Sequence, residues 1–249
     1  MALARVHGSE AGASFDILAR FESEDTRSHA EVMAPFAHAA LQEAGVRGEE
    51  LDAILTGTGP GPFTGLRAGI VTARALGFAW SVSVYGMMSL TALAERAYQE
   101  RVFAQGGGAG EAEGAELLVA SDARRREVYS ARYRVNTEGY SLVDGPTVSP
   151  ASEILPGEGP SYAYGYGAGL YAETLRELGW DLVEAGEGIH PHAEYLLAAA
   201  ARRGLDALSL DTSALYLRDS DAKIPAAMLA RQQKQAARAT AQTVGQREG

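Results

Sequence analysis

"GTGPGPFTGLRAG", residues 57–69, packs five glycines and two prolines into thirteen positions and runs straight into a helical pattern. Just before it, "LDAILTG" at 51–57 reads as a buried strand. A strand feeding a Gly-rich turn feeding a helix N-terminus presents free N–H groups and a positive dipole end to phosphate. The residue types argue against that use. A phosphate loop ends in Gly-Lys-Ser/Thr, whereas Leu66 and Arg67 follow Gly65 and the stretch holds no lysine. A dinucleotide fingerprint begun at Gly57 and Gly59 needs its third glycine where Pro62 stands. Pro60 and Pro62 also delete two N–H donors. Gly59, Pro60, Gly61, Phe63 and Thr64 are therefore expected to form a structural loop that holds the next helix at a set angle.

That helix is expected over about residues 64–80. Gly65, Gly69, Ala73 and Gly77 recur every fourth residue and form a stripe nearly free of side chains. Glycine inside a helix costs about 1 kcal/mol relative to alanine, so three on one face call for a compensating role. The stripe permits close approach of another backbone. Two partners fit the spacing: the chain's own sheet or first helix, or another subunit.

Outward from this core, residues 2–6 and 15–21 alternate weakly and suggest a hairpin through "HGSEAGA". "SHAEVMAPFAHAALQEAG" opens on a capping box, Ser28 and Glu31, and continues as a helix ended by Gly45, with a bend expected at Pro35. After the glycine helix, "VSVYG" reads as a strand and "SLTALAERAYQERV" as a helix, an order that implies parallel pairing with helices on the sheet faces. "ELLVASDARRREVYSARYRV" reads as two strands turning around residues 122–126, and "YAYGYG" as a third. "AGLYAETLRELG" and "HAEYLLAAAARRG" read as helices. The expected organisation is a first lobe over 1–103 and a Gly-rich linker over 104–116. A second lobe with a closing segment follows over 117–225, and a poorly ordered basic tail over 226–249.

The composition is that of a globular protein: 46% hydrophobic and 22% charged residues in 249. A net charge of −10 argues against nucleic-acid binding by charge alone, although from Lys223 onward five basic residues face one acid. The absence of cysteine excludes disulfides, thiolate catalysis and cysteine zinc sites. The N-terminus lacks the apolar core of a signal peptide, and no apolar run reaches the ~20 residues of a membrane span, so the expected location is cytoplasmic.

"GTGPGPFTGLRAGIVTARALG" resembles the signature loop and helix of the TsaB (YeaZ) family, with Pro62 in place of the usual serine. "SHAEVMAPFAHAAL" is similar to that family's first helix, "VASDARRREVYSARY" to its Asp-Ala-Arg…Glu-Val-Tyr hairpin and "ALYLRDSDAK" to its closing segment. The resemblance implies an α/β, two-lobed fold of the actin/Hsp70/sugar-kinase (ribonuclease H-like) type. It further implies a non-catalytic partner and activator of a TsaD-like subunit, which transfers threonylcarbamoyl to the adenosine beside the anticodon of ANN-decoding tRNAs. A TsaE-like ATPase joins the same complex, tRNA is reached only through it, and ATP and metal belong to the partner subunits rather than to this chain. Pairing would run through first-lobe helices, with Gly65, Arg67, Gly69, Ala73, Gly77, His29, Met33 and Phe36 at the interface. The chain alone would have the same surface free to pair with a second copy. Family members begin with an Ile-Leu-Ala-Ile-Asp-Thr strand, and "MALARVHG" resembles the strand after it, so the first lobe is expected to lack its leading strand and to show a slot or a shifted hairpin.

The alternative is an enzyme of the same superfamily, a small ATPase or kinase or a metallopeptidase. Metal-binding relatives carry two histidines one turn apart on the first helix. Here His29 and His38 are nine residues apart, about 180° out of phase, so no metal is expected. His190 and His192 flank Pro191, a weak metal pattern. No serine sits in a Gly-x-Ser-x-Gly elbow. Asp122, Arg124 and Glu127 could meet a partner or an anion, while Arg125 and Arg126 read as a solvated hairpin tip.

Overall fold

The computed structural model describes residues 1–23, 29–100, 113–136, 138–183 and 189–218. Strands β1 (Ala2–His7) and β2 (Ser14–Arg20) form the expected antiparallel hairpin. Helix α1 (His29–Ala44) follows, with Pro35 inside it and Gly45 at φ +66° beyond its end. The capping residue Ser28 lies outside the described residues. Strand β3 is shorter than its pattern, Ile54–Gly57, because Leu51 and Asp52 leave a short 3-10 turn at Gly48–Glu50.

Helix α2 (Phe63–Trp80) leads to β4 (Val84–Met87), which pairs parallel with β3. Helix α3 (Leu90–Tyr98) passes into π-helical geometry at 99–100, and the last two residues of its expected span lie outside the described residues. Among the described residues, β1–β2 and β3–β4 are separate two-stranded sheets, a divided arrangement in which Ile54 and Leu55 remain half-buried.

The C-terminal half is built on one continuous sheet of five strands in the order β7-β6-β5-β8-β9. These are β5 (Glu116–Asp122), β6 (Val128–Asn136), β7 (Gly139–Ser149), β8 (Ser161–Tyr164) and β9 (Asp181–Leu182). Strand β7 escapes the sequence reading because Gly145 and Pro146 interrupt it and its edge position leaves Leu142 and Val143 exposed. The expected helix over 168–179 is broken into α4 (Tyr166–Leu170) and α5 (Ala172–Glu177), since Tyr171 leaves helical geometry at φ −120°, ψ 32°. Most of the expected linker lies outside the described residues, but Ala115 is buried and Glu116 already opens β5.

Alternation along β5 sends Leu117 and Val119 into one core with α3, and Leu118 and Ala120 into another with α4, α5 and Trp180. Both faces of the sheet are therefore covered at β5. Helix α6 (Ala193–Arg203) then returns to the N-terminal half, where Leu196, Ala199 and Ala200 pack with Met87 and Ala92. Met1–Leu217 is one compact unit, and of the second, Arg218–Gly249, only the first residue is described.

Candidate functional site

The glycine loop leaves β3 at Gly57 and is held by the chain's own groups. The Thr58 amide donates to the Met87 carbonyl (2.8 Å), and the Leu215 amide donates to the Thr58 carbonyl (2.8 Å). The Gly59 amide donates to Ser89 Oγ (3.0 Å), while the Ser89 amide returns a bond to the Gly59 carbonyl (2.7 Å). Gly59 has φ +97°, and a Cβ there would stand 2.9 Å from a Leu66 methyl, so glycine is required. Two of the N–H groups a phosphate would use are thus spent inside the protein, and Pro60 and Pro62 supply none.

The closing segment lies over this loop. The Gly86 amide donates to the Ser209 carbonyl (2.8 Å), and Arg74 Nε donates to Thr212 Oγ1 (2.7 Å). Arg67 Nε donates to the Tyr216 hydroxyl (2.8 Å) with its guanidinium 3.8 Å from the Phe63 ring centroid. Phe63 and Tyr216 meet at 5.3 Å between ring centroids. Arg67 is therefore fixed beside the N-terminus of α2 by two rings and a hydrogen bond.

The small-residue stripe turns inward. Ala73 and Gly77 are buried, and a Cβ at Gly77 would meet the Val84 side chain and stand 2.8 Å from the Val82 carbonyl. A Cβ at Gly69 would lie 3.9 Å from Met33 Cε on α1, and Gly65 is half-buried. This corrects the expectation that the whole stripe lies at a subunit interface: at Ala73 and Gly77 the closely approaching partner is the chain's own structure. Phe36 stacks on Phe21 at 5.6 Å, and His29 opens α1 with a side chain outside the described set.

The opposite face of α2 is partly exposed among the described residues, with Thr212 and Tyr216 lying against Arg74, Arg67 and Phe63. Phe63, Arg67, Val71, Arg74 and Phe78 fall within roughly 80° of the helix at 100° per residue. Phe63, Val71 and Phe78 are 54%, 64% and 91% exposed, an apolar stripe carrying two arginines. The sequence reading missed this face because glycine periodicity drew it to the other side. The spacing of Phe63, Val71 and Phe78 was the available signal.

A second cluster was also missed. Glu95 on α3 is fully buried and accepts bonds from Arg202 Nε (2.9 Å) and Nη2 (2.7 Å), Tyr140 Oη (2.9 Å) and Gln99 Nε2 (2.8 Å). Its own hydrogen bonds hold the Arg202 pKa above the usual arginine value. Burial first, then the Glu95 charge, pushes the Tyr140 phenol well above its ordinary value. The cluster ties α3, α6 and β7 together and is saturated with internal partners, which suits an anchor rather than a reacting centre.

At the β5–β6 turn, Arg124, Arg125 and Arg126 have φ of 60°, 57° and 62°. Left-handed backbone costs a non-glycine residue ~1–2 kcal/mol and normally occurs singly. The Asp122 carboxylate caps the turn, accepting from the Arg124 amide (2.7 Å) and lying 3.2 Å from its guanidinium. All three arginine residues are exposed.

Elsewhere His38 is exposed on α1, and His192 lies 3.6 Å from Glu22 and 3.9 Å from Glu194. Burial, then the neighbouring His192, lowers the His190 pKa. Among the described residues, no group of three or more histidine or acidic side chains could hold a metal ion, and no helix is long and apolar enough to cross a membrane.

A parallel strand pair, a glycine turn, a long helix and a second sheet closed by a returning helix define the actin/Hsp70/sugar-kinase class of α/β fold. YeaZ from Pseudomonas aeruginosa shares it with a TM-score of 0.64 at 30% identity, over 87% of this chain and 99% of that one. An uncharacterized protein of Mycobacterium tuberculosis is 42% identical over 133 residues, 53% of this chain and 54% of that protein. The tRNA threonylcarbamoyladenosine biosynthesis protein TsaB of Escherichia coli K12 is 28% identical over 183 residues, 71% of this chain and 73% of that protein. The chain spans only about half the length of the mycobacterial relative that it matches. Residues 16–226 match the family described as TsaD, tRNA N6-adenosine threonylcarbamoyltransferase. The chain belongs to that family, in its TsaB (YeaZ) branch.

Proposed function

We propose that this chain acts in threonylcarbamoyladenosine formation on tRNA as the non-catalytic partner and activator of a TsaD-like subunit. A TsaE-like ATPase completes the assembly, and ATP and metal reside in those partners. The observation that carries the non-catalytic reading is the glycine loop. The Thr58 and Gly59 amides are spent on Met87 and Ser89, two neighbouring positions are proline, and the closing segment lies across it. Family membership supplies the pathway, and the exposed stripe of α2 supplies a docking face for the TsaD-like subunit: apolar area for burial, with Arg67 and Arg74 for carboxylates at the rim.

Reconstitution with the TsaD-like subunit of the same organism tests this. The chain alone should turn over no ATP, and adding it should raise threonylcarbamoyl transfer by the partner. Changing Val71 and Phe78 together to aspartate should leave the isolated fold intact and weaken pairing by about thirtyfold or more. ATP turnover by the purified chain that disappears on changing Gly59 would overturn the reading, as would transfer indifferent to the chain's presence.

A further inference from the structure

The two arginines of the α2 stripe are held in the same way by the same segment. Residues 209–217 are pinned at two points: the Gly86 amide donates to the Ser209 carbonyl (2.8 Å) and the Leu215 amide to the Thr58 carbonyl (2.8 Å). A Cβ at Gly86 would collide with the Asp211 carbonyl, so the segment lies directly on β4. From this fixed place the Tyr216 hydroxyl accepts from Arg67 Nε (2.8 Å), and Thr212 Oγ1 accepts from Arg74 Nε (2.7 Å). Thr212 is buried, and the Tyr216 ring meets Phe63, whose face carries the Arg67 guanidinium. Both bonds engage Nε and leave the two outer nitrogens of each guanidinium for another acceptor. Among the described residues neither arginine forms an ion pair, although the chain carries a net charge of −10. Asp211, beside Thr212, accepts from the Ser213 amide instead (2.8 Å). Bonds from Ser213 are the first cause of its lowered pKa, and the Arg74 charge is the last.

We propose that the closing segment is part of the docking device, with Tyr216 and Thr212 as positioning residues that preset Arg67 and Arg74 for carboxylates on a helix of the partner. This rests on the proposed pairing with a TsaD-like subunit. Seven residues of helix separate the two arginines by about 10 Å on nearly one line, the spacing of acids one heptad apart on a facing helix. A guanidinium already fixed at Nε loses less side-chain freedom when its outer nitrogens bind a carboxylate. A second copy of the chain fits this face less well than an acidic partner. Pairing across a two-fold axis near Val71 would set Arg67 against the copy's Arg74, like charge against like.

The test measures the affinity of the full chain for its TsaD-like subunit by titration calorimetry, with a double-mutant cycle. Tyr216→Phe keeps the ring on Phe63 and removes only the acceptor of Arg67. It should weaken pairing about threefold to tenfold and leave the fold of the isolated chain intact. Arg67→Gln should weaken pairing more, and adding Tyr216→Phe to it should cost nothing further. Thr212→Val should behave the same way with and without Arg74→Gln. Unchanged affinity in both Tyr216→Phe and Thr212→Val overturns the proposal and leaves the partner reading standing. Equal losses with and without the arginine also overturn it, because the hydroxyls would then act on the segment's own structure. Self-association of the chain that Arg67→Gln abolishes would assign the face to a second copy and sink the acidic-partner assignment. Failure of the unmodified chain to pair with the TsaD-like subunit strikes the partner reading itself.

Discussion

Leu118, Val119 and Ala120 of β5 are fully buried, while Ile54 and Leu55 of β3 stay half-exposed. The two strands differ in their neighbours rather than in their apolar character. Strand β5 is bonded on both edges, to β6 and β8, and covered on both faces. Strand β3 is bonded only to β4 among the described residues. An edge without a strand beside it loses both the ladder that pairs its N–H and C=O groups and the side chains that would close over it. One chain thus contains a well-buried sheet and a loosely framed one, with α3 and α6 running between them.

The largest effect should come from cutting the tie between the two. Glu95→Ala strands Arg202 and Tyr140 without their buried acceptor, and breaking a buried charge pair from one side costs about 3–5 kcal/mol. Urea unfolding of the purified chain measures it, and a loss below 1 kcal/mol would mean that water reaches the cluster. Next, hydrogen exchange should separate the sheets. Amides of β3 and β4 should open at least about 2 kcal/mol below those of β5 and β6, which should approach the global unfolding energy. Equal protection would break the comparison outright.

Two glycine substitutions sharpen it within α2. Gly77→Ala drives a methyl into Val84 and the Val82 carbonyl and should cost about 1–3 kcal/mol. Gly69→Ala meets only the Met33 methyl at van der Waals distance and should stabilise by up to ~1 kcal/mol through helix propensity. Thermal midpoints moving in the same direction would show that the stripe packs uniformly, against the geometry described.

The smallest effect at neutral pH belongs to Tyr133, whose fully buried hydroxyl meets Thr91 Oγ1 at 3.2 Å. Burial pushes its pKa up to about 12, above the unfolded value near 10. The unfolded phenol releases its proton first, so the stability is full below pH 10 and falls as pH rises toward 12. Tyr133→Phe should cost about 1 kcal/mol at pH 7 and make that alkaline fall shallower. An unchanged slope would locate the alkaline loss outside the five-stranded core.

Several features were legible from residues 57–69 and their surroundings because their signals are local. Helix α2 begins one residue from where it was expected, since glycine and proline punctuate its start and apolar periodicity its body. The β5–β6 hairpin, the N-terminal hairpin and the parallel pairing of β3 with β4 follow from alternation and element order. The unsuitability of the loop for phosphate was readable from Pro60, Pro62 and the missing lysine alone. Other features depend on which surfaces neighbouring elements cover. The spacing of Gly65, Gly69, Ala73 and Gly77 called for a close partner without naming it, and only the packing of α2 on α1 and β4 assigned the inner places. Glu95 looked like any helical acid until α6 and β7 brought Arg202 and Tyr140 to it. Strand β7 exists because β6 offers it an edge, against its own weak pattern. The left-handed arginines had no sequence signal, because the closure of β5 on β6 sets that backbone while arginine prefers another. Periodicity and turn chemistry act through the order of residues along the chain, whereas burial and pairing depend on which elements fold against a segment, at Glu95 on residues 45 and 107 positions away.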